Sequence, residues 1–148
     1  ASFLSPLTNQ CCDAYGGDLQ SRLRFPLEVF DAVRAAWPEN KPLSVALNTA
    51  DCVNGGFTID DAVIVARTLR AHGCDIIAVQ IIAVQVGQTT IESEPAYGRG
   101  FLTPFSERIR NEAGIPTIVG GYLTTSNEIN TILAAGRADL CIVDSPDI

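Results

Sequence analysis

The chain has 148 residues, 47% of them hydrophobic and 18% charged, with a formal net charge of −7. That length carries one domain with a real core, and the acidic balance argues against nucleic acid or an anionic membrane as a partner. No apolar run is long enough to cross a bilayer and no signal-peptide pattern is found. Five cysteines without C-x-x-C spacing, beside a single histidine, argue against a metal site and for a reducing cytoplasmic compartment.

Residues 1–17 read as a loop, with Pro6, Asn9 and Gly16-Gly17. Asp18 is placed to cap a helix running to about Trp37, with an apolar stripe of Leu19, Leu23, Leu27, Phe30 and Val33. Pro26 inside that span predicts a kink or a split into two pieces. Arg22 and Arg24 read as surface charges, as do Arg108 and Arg110 further on. Leu43 to Asn48 reads as the first strand, and the loop Asp51-Cys52-Val53-Asn54-Gly55-Gly56 follows its carboxyl end. Thr58 with Asp61 makes a capping box for a helix that buries Ala62, Val65, Ala66 and Leu69 and stops at Gly73. Asp60 and Asp61 suit the helix dipole in the first turn better than they suit a catalytic carboxylate pair, and His72 suits the last turn. Ile76 to Gln80 reads as the second strand. Its five residues, Ile-Ile-Ala-Val-Gln, recur at 81–85. Strand side chains alternate with period two, so an odd-length repeat within one strand turns each duplicate to the opposite face. Either the strand is unusually long or the second copy is extruded at its end.

Val86 to Phe101 reads as a long loop carrying Gln88, Tyr97 and Arg99. Thr103 is placed as the next helix cap with Pro104 at the first position, Phe105 and Ile109 facing inward and Gly114 closing. Ile115 to Val119 is a short β-branched run expected as a buried strand, ended by Gly120-Gly121. Thr125 or Ser126, with Glu128, caps a helix whose inner face is Ile129, Ile132 and Leu133. Gly136 suits a left-handed C-terminal position, and Leu140 to Val143 reads as another buried strand. The polar loops (51–57, 86–101, 120–125, 144–148) all fall at strand carboxyl ends, where α/β folds bind ligands. Gly120-Gly121 either exposes backbone N–H groups to a phosphate, as loops after the last strands of (β/α)8 barrels do, or only makes a tight turn.

Phe3-Leu4-Ser5-Pro6-Leu7-Thr8-Asn9-Gln10, Asp13, Tyr15-Gly16-Gly17 and Arg22-Leu23-Arg24-Phe25 together resemble the stretch after the fourth strand of Old-yellow-enzyme-type FMN oxidoreductases. Gly87-Gln88-Thr89, Tyr97-Gly98-Arg99 and the run Thr103 to Glu112 are similar to one branch, the reductase part of anthraniloyl-CoA monooxygenase and salicylyl-CoA 5-hydroxylase. Gly136-Arg137-Ala138-Asp139-Leu140 fits the family before its last strand. The resemblance implies an α/β fold of parallel βα units forming half of a TIM (β/α)8 barrel, with FMN at its carboxyl end and NAD(P)H as reductant. It further implies an activated alkene or aromatic acyl-CoA as acceptor. Gly120, Gly121, Gln88 and Arg99 would contact the cofactor, and Tyr97, in the loop over the expected mouth, is either the proton-donor candidate or a residue packed under that loop.

A full barrel takes about eight strands and on the order of 250 residues. Four strands are read here, so completion by a second copy or a complementary half-barrel is expected. Three departures stand out. Ala46 takes the place of the family's flavin-contacting arginine, Asp144-Ser145 that of a small residue and the phosphate-gripping arginine, and Cys52 that of an aromatic. Two functional readings follow. One is a half-barrel of an FMN-dependent oxidoreductase; the other is a non-catalytic scaffold that has lost FMN and folds by self-association. A third, a small module holding another anion at Gly120-Gly121, rests on the turn alone.

Overall fold

The computed structural model describes residues 3–81 and 97–144. In chain order these form α1 (Leu19–Ala36), β1 (Ser44–Asn48), α2 (Ile59–Ala71), β2 (Ile76–Gln80), α3 (Thr103–Arg108), β3 (Thr117–Val119), α4 (Ser126–Ala134) and β4 (Leu140–Cys141). A π-helical turn, Ile109–Ala113, continues α3. The strands lie parallel in one sheet, in the order β1-β2-β3-β4. No helix among the described residues is long and apolar enough to cross a membrane.

The register explains how the sheet is covered. Ala46 pairs with Ala78, Ala78 with Ile118, and Ile118 with Leu140, so these four share one face. The alternate residues Leu47, Val79 and Val119 occupy the other face and are 3%, 4% and 0% exposed. They join Ala62, Val65, Ala66 and Leu69 of α2, with Ile109 and Ile115, in one apolar core. The first face has no such cover: Ala46 is exposed, Ala78 and Ile118 are half-exposed, and Leu140 is 51% exposed. Helices on one side and a bare face on the other make a section of barrel wall, with the bare face toward the axis. This is the half-barrel that the family resemblance implies.

Both capping boxes form as the sequence predicts, Thr58 with Asp61 and Thr125 with Glu128. Several local expectations are corrected. Pro26 does not split α1, which is helical throughout. Proline loses the bond its own N–H would give and crowds the carbonyl four residues earlier, but Leu23 and Phe30, buried on either side of it, hold both halves of the helix to the core. Val33 is 45% exposed and does not complete the stripe. Arg22 is not a surface charge: it is 7% exposed, and its guanidinium donates to the Leu4 carbonyl at 2.7 Å and to the Gly17 carbonyl. It ties the N-terminal loop to α1.

Thr103 does not cap α3. Leu102 already has helical dihedrals, so the turn runs straight into the helix, and the Thr103 hydroxyl is buried without a partner among the described residues. Leu133 is 37% exposed, leaving Ile132 as the buried residue of α4. The last strand is not a buried run either: it is two residues long, and Ile142 and Val143 beyond it are 54% and 39% exposed. Its far side has no neighbouring strand among the described residues. The first copy of Ile-Ile-Ala-Val-Gln is β2. The second copy beyond Ile81, Gln88 and Ser145 lie outside the described residues.

Candidate functional site

The carboxyl ends of the strands carry three described loops. After β1, the fully buried Asp51 organises the turn. Its carboxylate accepts from the Phe57 N–H at 2.7 Å and from the Asn48 side-chain amide at 3.1 Å, while its own N–H donates to the Phe57 carbonyl at 2.9 Å. Cys52 follows in the left-handed region, φ 57°. Burial, and then the Asp51 charge, push its thiol up, which makes it a poor nucleophile.

After β3 the chain turns through Gly120, Gly121, Tyr122 and Leu123. Gly121 has φ 100°, and a Cβ there would stand 2.9 Å from the Phe101 ring, so both conformation and space require glycine. Tyr122 is left-handed as well, φ 57°. The Gly121 carbonyl accepts from the Gly100 N–H at 2.7 Å, joining this turn to the segment before α3. The N–H groups of Gly121, Tyr122 and Leu123 donate no hydrogen bond among the described residues. Successive unpartnered amides in a turn of this kind are suited to an anion.

The segment 97–102 lies against the same turn. The Tyr97 and Phe101 rings meet edge to face at 5.3 Å, and Phe101 and Tyr122 meet tilted at 5.9 Å. Tyr97 and Tyr122 are 54% and 55% exposed, so the row of rings opens to solvent. Arg99 points its charge elsewhere: it donates to Glu128 at 3.0 Å, in the first turn of α4. Glu128 also accepts from the Thr124 and Thr125 N–H groups at 3.2 and 3.1 Å. The Thr124 N–H first, and then Arg99, hold its carboxyl down to about 2. At the end of β4, the Asp144 N–H donates to the Leu123 carbonyl at 3.0 Å, which seats Asp144 beside the β3 turn.

The structure therefore brings Tyr97, Gly120, Gly121 and the Arg99 backbone to one end of the sheet, with the Arg99 side chain committed to Glu128. Ala46 lies further down β1, on the bare face. The contributions of Phe101 and Tyr122 are not legible in the sequence; a tyrosine directly after Gly-Gly is the only trace. The residues fit an FMN in part. The β3 amides suit its phosphate. Asp144 beside them adds negative charge, and the Ala46 methyl offers no donor to a flavin ring.

Residues 1–144 match the model of the NADH:flavin oxidoreductase / NADH oxidase family. The NADPH dehydrogenase of Geobacillus thermodenitrificans is 39% identical over 138 residues, which are 93% of this chain and 38% of that protein. That of Halalkalibacterium halodurans is 36% identical over 141 residues, covering 95% of this chain and 39% of the relative. The chain thus spans about 38% of the length of the first of these relatives. Among solved structures, a 2-naphthoyl-CoA reductase complex superposes with a TM-score of 0.78 at 23% identity, over 95% of this chain and 21% of that one. Histamine dehydrogenase from Rhizobium sp. 4-9 superposes at 0.75 and 21% identity, over 96% and 20% of the two chains. These superpositions establish the fold, and the match over residues 1–144 the lineage: the chain belongs to the NADH:flavin oxidoreductase / NADH oxidase family.

Proposed function

We propose that this chain is the carboxyl-terminal half-barrel of an FMN-dependent NAD(P)H oxidoreductase acting on an activated alkene or an aromatic acyl-CoA. The observation that carries the reading is the family match over residues 1–144. FMN, when bound, passes reducing equivalents from NAD(P)H to the acceptor. This chain's share is to receive the phosphate on the amides following Gly120 and to offer Tyr97 as proton donor, with Gln88 and Arg99 taken as cofactor contacts on the family resemblance alone. The exposed phenol of Tyr97, steadied against Phe101, supports that last role. The acyl-CoA acceptor rests on the motifs around Gln88, Tyr97 and Thr103, and a likeness to a reductase solved with 2-naphthoyl-CoA agrees with it. Five free thiols fit a reducing cytoplasm.

The half-barrel works only when covered. Parallel sheets are buried on both faces, and an open strand edge invites another strand. The bare face and a cleft of about 350 Å³ between α1 and β1, lined by Pro26, Val29 and Ala46, support a second copy or a complementary half as partner. The test is an FMN titration of the purified chain by flavin fluorescence, alone and with the remaining half of a related NADPH dehydrogenase. Saturable binding near one FMN per completed barrel, with NADPH oxidation, is the expected result. No binding and no activity in either arm favours the other reading, a non-catalytic scaffold, to which Ala46 and Asp144 already point.

A further inference from the structure

We propose that Asp144 sets the charge selectivity of the β3 turn, disfavouring a dianionic phosphate at the amides of Gly121, Tyr122 and Leu123 while leaving uncharged ligands unaffected. The inference rests on the reading of this turn as a phosphate site. Its ground is the 3.0 Å bond from the Asp144 N–H to the Leu123 carbonyl, which holds the two backbones side by side. Charges interact in water over about one Debye length, about 8 Å at physiological salt, so a carboxylate on that backbone is a neighbour whose charge a group on the adjoining amides would feel. Nothing nearby among the described residues cancels it. Asp144 has no ion-pair partner among the described residues, Arg99 is held by Glu128 at 3.0 Å, and Arg137 is held by Glu107 at 3.4 Å. The arrangement therefore pairs donors suited to an anion with a fixed charge of the same sign as that anion.

FMN and riboflavin separate the two effects, because they share the ring and differ in the phosphate. Both are titrated by flavin fluorescence into the full chain, with the complementary half present, as wild type and as Asp144→Asn. The amide variant keeps the backbone bond and the side-chain shape. Removing one charge close to a dianion is expected to tighten FMN binding on the order of fivefold to tenfold. Riboflavin binding should stay within about twofold, and the FMN gain should shrink as salt is raised. Equal improvement for FMN and riboflavin would mean a structural loosening and overturn the proposal. So would an unchanged FMN affinity in the variant. If wild type binds FMN and Asp144→Asn binds it no better, only this inference falls. If neither flavin binds either protein, the reading of the site falls with it.

Discussion

Asp51 and Gly121 decide the two best-defined loops, and each does so through contacts that residue type alone does not reveal. The acidic residue opening the loop after β1 is visible in the sequence, but its complete burial is not, because that depends on Phe57 folding back six residues later. Replacing Asp51 with alanine leaves the buried Phe57 N–H without an acceptor. The expected loss is about 1–3 kcal/mol, read as a lower urea midpoint. Asp51→Asn, which keeps an acceptor oxygen, should lose less. At Gly121 the pair of glycines is legible as a turn. The need for glycine comes from φ 100° and a ring carbon 2.9 Å from a would-be Cβ. Gly121→Ala should cost about 1–3 kcal/mol and shift Phe101, altering the near-ultraviolet circular dichroism of the Tyr97–Phe101–Tyr122 row. The left-handed tyrosine beside it has no signature in residue type, which is why the row is not legible in the sequence.

Among the elements, the helices whose ends are fixed locally were the legible ones. Thr58 with Asp61 and Thr125 with Glu128 close capping boxes within four residues, so pattern suffices. Long-range partners are what pattern misses: Arg22 is drawn inward by the Leu4 and Gly17 carbonyls, and Arg99 reaches Glu128 from 29 residues away. Glu128 gives a test with a definite sign. Its folded carboxyl titrates at about 2 against an ordinary 4.5, so its ionised form is favoured by folding. The stabilisation is full above pH 4.5 and is lost as pH falls through about 2. Urea unfolding of wild type and Glu128→Gln should therefore differ at neutral pH and converge near pH 2, and a difference that persists in acid would place the effect elsewhere than in the charge. Arg22→Lys should also destabilise α1's attachment, by about 1–3 kcal/mol, since an ammonium does not reproduce the guanidinium fork to two carbonyls.

At the scale of the molecule, alternation of strand and helix is enough to give parallel βα units, because each βαβ step is constrained in hand and order, while the half-barrel reading comes from the family resemblance. What alternation does not reveal is which side of the sheet lacks cover. Inner and outer residues are equally apolar in β2 and β3, and the exposure of β4 depends on what stands across its open edge. The register supplies the answer, placing Ala46, Ala78, Ile118 and Leu140 together on the face away from the core. Apolar area left in water costs about 25 cal/mol per Å² relative to burial, so this face is expected to drive the association proposed above. The isolated chain should sediment as a dimer or larger species. Ile118→Lys tests the cause, because the Ile118 side chain stands on the bare face while its neighbours Thr117 and Val119, both fully buried, hold the core side. The variant should keep helical circular dichroism and shift toward monomer in analytical ultracentrifugation. It should also lose its response to an added complementary half-barrel, since both proposed assemblies use the same face. Wild-type chain that sediments as a monomer, unfolds cooperatively and binds no hydrophobic dye would mean that the face is covered from within the chain, and the half-barrel would then stand without a partner.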